Sequence, residues 1–134
     1  MYVSGITEHG EVRNGVEQEL QLPEFIAECE ECLLGGRTYV EVYAGRGGGR
    51  LLSAGSTGRI AVLQMVDEDG RGAIFVPPGG PAGSESAEVV CVPFMEGCAE
   101  YDSCFAMDAA TAWQSLLYMI RDASYPARDS WFYL

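Results

Sequence analysis

Between Pro23 and Leu34 the apolar residues Phe25, Ile26, Cys29, Cys32 and Leu33 follow the i, i+1, i+4, i+7, i+8 spacing of one helical face. Pro23 suits the first turn of such a helix, and Gly35-Gly36 ends it. Glu24, Glu28 and Glu31 fall on the opposite, solvated side. Glu24 complements the helix dipole, but Glu30 and Glu31 lie near its negative end, oppose it and must be tolerated for another reason. From Thr38 the period changes to two: Thr38, Val40 and Val42 alternate with Tyr39, Glu41 and Tyr43, the pattern of a half-buried strand. Further strands are predicted over Arg50 to Ala54 and Ile60 to Val66. The second is almost wholly apolar and so belongs at the centre of a sheet, with both faces covered. Asp67-Glu68-Asp69-Gly70 is a tight turn into a returning strand, Ala73 to Val76.

Two more strands are predicted at Ala87 to Val92 and Tyr101 to Ala106, joined by a loop over Glu96 to Glu100. A second helix then opens at Asp108 as N-cap. Its stripe of Ala109, Ala112, Trp113, Leu116, Leu117 and Ile120 ends at Arg121, whose charge suits a helix C-terminus. Tyr125-Pro126 ends that helix, and Ser130 to Leu134 returns as a short strand. Hairpins in sequence with helices at either end define the α+β class: an antiparallel sheet of about five to six strands packed by an N-terminal and a C-terminal helix. With 134 residues and no repeat, the chain is expected to form a single domain over residues 1–134. Glycines cluster at Gly45 to Gly49 and Gly79 to Gly83, as turns and loops between strands do.

Charge narrows the possible partners. The formal net charge is −12, and all eight basic residues are arginine. Such a field repels phosphate and anionic membrane surfaces, so direct binding to nucleic acid or membrane is not expected, whereas a basic protein would be steered into contact. No apolar run approaches the roughly 20 residues of a membrane span. Met1 to Ile6 lacks the basic and apolar stretches of an export signal, which makes the cytoplasm the expected compartment. Five cysteines cannot all pair with one another, and this fits thiols kept reduced.

The catalytic and ligand-binding motifs are incomplete. Cys29-Glu30-Glu31-Cys32 has redox or zinc half-site spacing, but both cysteines lie on the apolar face of a helix and no second paired spacing exists, so they read as core. The single histidine, His9, has no evident serine or cysteine partner, and no triad is expected. A phosphate loop at Gly45 to Gly49 would need a lysine that the chain lacks. Neither a cofactor nor a metal is implied. Trp131 and Tyr133 would face one side of the last strand and Phe132 the other, and one of these faces is a candidate contact surface.

From Arg37 onward the order of features resembles the bacterial immunity proteins that partner deaminase-fold toxins in polymorphic toxin systems of interbacterial competition. The features are the strand Tyr39 to Tyr43, Gly58-Arg59 before the apolar strand Ile60 to Val66, the acidic turn Asp67 to Gly70, the Gly/Pro/Ser loop, the helix opened by Asp108, and the Pro126 to Trp131 ending. The resemblance implies a non-enzymatic antitoxin that forms a 1:1 heterodimer with a basic toxin and blocks its active site or nucleic-acid channel. The expected contacts are Asp67, Glu68 and Asp69 in the turn, Glu96, Glu100 and Asp102 further on, and Trp131 near the end. Two rival readings stand beside it: an acidic interaction module for another basic protein, and a small carboxylate-dependent enzyme.

Overall fold

The computed structural model describes residues 2–7, 18–43, 50–77, 88–95, 97–122 and 130–134. Their elements are β1 (Tyr2–Thr7), β2 (Gln18–Glu19), α1 (Leu22–Gly35), β3 (Thr38–Tyr43), β4 (Leu51–Ser56), β5 (Ile60–Val66), β6 (Gly72–Phe75), β7 (Val89–Phe94), β8 (Gly97–Asp102), β9 (Met107–Asp108), α2 (Ala109–Asp122) and β10 (Trp131–Tyr133). The main sheet is antiparallel throughout and runs β10-β6-β5-β4-β3-β1-β2, with β9 pairing the start of β5. The class is α+β, as the order of periodic segments predicts.

Both helices cover one face, called inner here. Val3, Val40, Val42, Leu52, Ala54, Ala61, Leu63, Met65 and Ala73 point into it from the strands and are buried against Phe25, Cys29 and Leu33 of α1 and Ala112, Trp113 and Leu116 of α2. The helices meet where Phe25 stacks on Trp113 at a centroid distance of 5.4 Å. The Trp113 indole Nε1–H donates to the Glu30 carboxylate at 2.8 Å. This bond gives a reason for tolerating Glu30 near the end of α1. The carbonyls of the last turn of α1 are also satisfied from the sheet: Thr38 Oγ1 donates to Cys32 O at 2.6 Å and Ser56 Oγ to Leu33 O at 2.7 Å. At the other end, the Gln21 N–H donates to the Glu24 carboxylate at 3.2 Å.

Several features depart from the sequence reading, the short strands β2 and β9 among them. β1 was not expected, because Ser4 and Gly5 interrupt its apolar pattern. It is held by six consecutive register pairs with β3, from Tyr2↔Tyr43 to Thr7↔Thr38. The last predicted strand before α2 lies earlier, at β8, and Ser103–Phe105 is a 3-10 turn instead. β7 and β8 do not join the main sheet but form a separate two-stranded hairpin. Finally, Cys91 and Cys98 are placed within disulfide-bonding reach of each other across that hairpin, Cα to Cα 6.2 Å, a pairing absent from the sequence reading. The glycine loop Gly45 to Gly49, most of the Pro77 to Ser86 loop and His9 lie outside the described residues.

The hairpin covers part of the outer face. Val90, Val92, Phe94 and Tyr101 alternate toward the sheet, and Val92 forms a second small core with Val62 and Ile74, flanked by Phe105. Phe94 packs on Tyr39 at 5.3 Å and Phe105 on Phe132 at 5.5 Å, so the hairpin runs across the strands from β3 toward β10. Gly55 permits this crossing: a Cβ there would lie 2.2 Å from the Pro93 carbonyl oxygen. The central strand β5 therefore has cover on both faces at Ala61 to Leu63, as its apolar run requires.

Gly55→Ala should lower stability by about 1–3 kcal/mol, because backbone on one side and β4 on the other leave no room for a methyl group. Gly35→Ala, where nothing lies within 4 Å, should not. Urea denaturation of the two variants tests this. Equal midpoints would mean that the hairpin does not rest on Gly55.

Candidate functional site

Because directly paired residues of an antiparallel sheet share a face, the register resolves the outer face into transverse rows. The first, Tyr39, Gly55 and Val62, lies beneath the hairpin. The second consists of Glu41, Ser53, Gln64, Ile74 and Phe132. The third, at the end of the sheet, is Glu19, Tyr2, Tyr43, Leu51, Val66 and Gly72. It is completed by Leu134, whose N–H donates to Gly72 O at 2.9 Å. Tyr43 is 38% exposed, Val66 38%, Phe132 53% and Leu134 78%.

A polar network marks the border between the covered and uncovered parts. The Tyr39 hydroxyl donates to Glu41 Oε1 at 3.1 Å and also contacts the Ser53 hydroxyl, while Gln64 Nε2 donates to the Tyr101 hydroxyl of the hairpin. Burial first, and then the negative charge of Glu41 and the hydrogen bond to it, push the Tyr39 phenol above its ordinary range near 10. Burial likewise raises Tyr101. These shifts stabilise neutral phenols, so the two tyrosines serve as hydrogen-bonding side chains at neutral pH. Cys104 is also pushed up, by burial and then by hydrogen bonding to Asp102, the reverse of what activates a nucleophilic cysteine.

The expected contact residues fall in different layers. Asp67, Glu68 and Asp69 form the β5–β6 turn next to Val66, where Glu68 and Asp69 are exposed. Asp67 fastens the turn: its Oδ1 accepts from the N–H groups of Asp69 and Arg71, each at 2.9 Å, and Gly70 supplies the positive φ of 81°. Glu100 and Asp102 are exposed on the hairpin, on the side away from the sheet, and Asp102 Oδ1 also caps the 3-10 turn by accepting from Cys104 N–H at 3.0 Å. Glu96 lies outside the described residues. Trp131 is corrected: it is buried, edge-on to Phe75 at 5.2 Å, and Phe132 is the aromatic that strand β10 presents outward. Burial of Phe75 and the helix-covered face determined which side of this short strand turned in. The sequence reading missed the third outer row, whose members come from six strands. Only the alternation that turns Tyr43 away from Val42 was visible beforehand.

Among the described residues, no three His, Cys, Asp or Glu side chains gather as a metal-binding group, and no helix is long and apolar enough to cross a membrane. No protein-family model, curated protein or solved structure matches the chain, so its own geometry is the basis for reading the site.

Stability should fall as pH rises above about 10, because the phenol of Tyr39 ionises more readily in the unfolded chain than in the folded protein. The stabilisation is complete below that pH and is lost on the alkaline side. Tyr39→Phe should flatten this alkaline decline in thermal midpoint. An unchanged slope between pH 9 and 11 would show that Tyr39 does not titrate differently on folding.

Proposed function

We propose that this protein is an immunity protein, a cytoplasmic antitoxin that binds a basic, deaminase-type toxin and covers its nucleic-acid channel or active site. The observation that carries the reading is the outer sheet face. A partly exposed apolar row there, with Tyr43, Val66 and Leu134 open to solvent and Tyr2 and Leu51 half-buried, runs directly into the acidic turn Asp67 to Asp69, on a chain of net charge −12 without lysine. A nucleic-acid-modifying enzyme needs a basic channel, and carboxylates on a protruding turn can occupy the positions that phosphates would take. The resemblance in the order of elements from Arg37 onward supports the same reading. A different basic protein as partner is the second reading, and it uses the same surface.

Co-expression with the toxin-like product of the neighbouring gene tests the function. Survival of the host and co-purification of the two chains are expected, and failure of both with a folded protein would remove the antitoxin reading. Glu68→Arg combined with Asp69→Arg should reduce the association rate about tenfold at low salt while changing dissociation less. Asp67 is retained in that variant because its carboxylate holds the turn together. An unaltered association rate would exclude the turn from the contact.

A further inference from the structure

We propose that the third outer row is the anchor of the docking surface, and that it seats an arginine-bearing apolar segment of a basic protein partner. The inference rests on the reading of the chain as a binding protein for a basic partner, and it adds which face is used and what chemistry it recognises. Tyr2, Tyr43, Leu51, Val66 and Leu134 occupy one line across six strands, Gly72 included. At strand spacings of about 4.8 Å this line is roughly 24 Å long, comparable with the width of a protein–protein contact that buries about 800 Å² on each side. The hairpin packs on the opposite part of the outer face, held there by Gly55, and does not cover this end.

Charge selects the occupant. The row begins beside Glu19 on β2, passes Glu41 one row in, and adjoins Asp67, Glu68 and Asp69 beyond Val66, so acids outnumber the two neighbouring bases, Arg50 before Leu51 and Arg71 before Gly72. A second copy of this chain would bring −12 against −12, and nucleic acid would bring phosphates against the same acids, so both are opposed. A basic protein is favoured. Tyr43 offers an aromatic face and Glu41, two residues earlier on the same face, a carboxylate. Tyr39 donates to one Glu41 oxygen, and a carboxylate can accept about four hydrogen bonds, which leaves capacity for a guanidinium stacked on the Tyr43 ring. Aromatic and aliphatic anchors rimmed by charge are the usual arrangement of residues that dominate binding.

The test uses a ten-residue peptide of alternating arginine and valine as probe, titrated into the isotope-labelled full chain and followed by amide NMR. Shifts confined to the third row, Glu41 and the adjoining turn Asp67 to Asp69 are expected, together with a tenfold or greater loss of affinity in Tyr43→Ser/Val66→Ser and no change in Tyr118→Ser on α2. Leu134→Ser, at the most exposed of these positions, should weaken binding several-fold and guards against misfolding of the double variant. Shifts spread over every acidic loop, shifts on the helical side, or unchanged affinity in the double variant would overturn the proposal, as would self-association through this row. The two readings fail separately. Peptide binding at the row without rescue in co-expression discards the toxin as partner and keeps the surface, whereas rescue that is insensitive to Tyr43→Ser/Val66→Ser discards the surface and keeps the toxin.

Discussion

The Pro93 carbonyl lies against Gly55 with no side chain between them, and the use of the outer sheet face follows from this backbone-to-backbone approach. It lets the hairpin lie flat across β3, β4 and β5, where Val92 completes a small core with Val62 and Ile74. It also limits how much of the sheet the hairpin can cover. Two short strands placed over the Gly55 row reach the Gln64 row through Tyr101 and leave Tyr43 and Val66 exposed, with Leu51 half-buried between them. Cover at one end of the face and exposure at the other are thus two consequences of one packing contact.

On the inner face the corresponding constraint is the meeting of two helices. Phe25 and Trp113 bring apolar area to the centre of the molecule, and the indole N–H needs an acceptor once it is buried. Glu30 supplies it. An acid near the end of α1 is unfavourable to that helix alone and favourable to the pair, so local preference and tertiary packing disagree at this residue and packing prevails. Thr38 and Ser56 then satisfy the carbonyls that end the helix, which ties α1 to the two strands that carry the outer face.

The acidic residues divide into those that build the molecule and those available for contact. Asp67, half-buried, holds a backbone turn through one carboxylate oxygen, Asp102 holds another while remaining exposed, and Glu68, Asp69 and Glu100 are exposed without such a bond among those described. This division matters for function because association rate follows exposed charge, whereas residence time follows the apolar anchors that exclude water. On the proposed reading, the acidic turn draws a basic partner in and the row of Tyr43, Val66 and Leu134 retains it.

The sequence by itself determined the class, because periodicity is a local property. The 3.6-residue stripe gave away α1 and α2, the period of two gave away β3, and the almost wholly apolar run of Ile60 to Val66 announced a strand covered on both faces. It also determined the charge, and with it the chemistry of an acceptable partner. Only the tertiary structure decided what covers β5 on its second side, that Trp131 turns inward and Phe132 outward, that Cys91 meets Cys98, and that residues from Tyr2 to Leu134 align in one row. The reason is physical. Each of these depends on strand register and on which layer crosses which, and those are settled by contacts between residues far apart in the chain, where no local pattern carries the information.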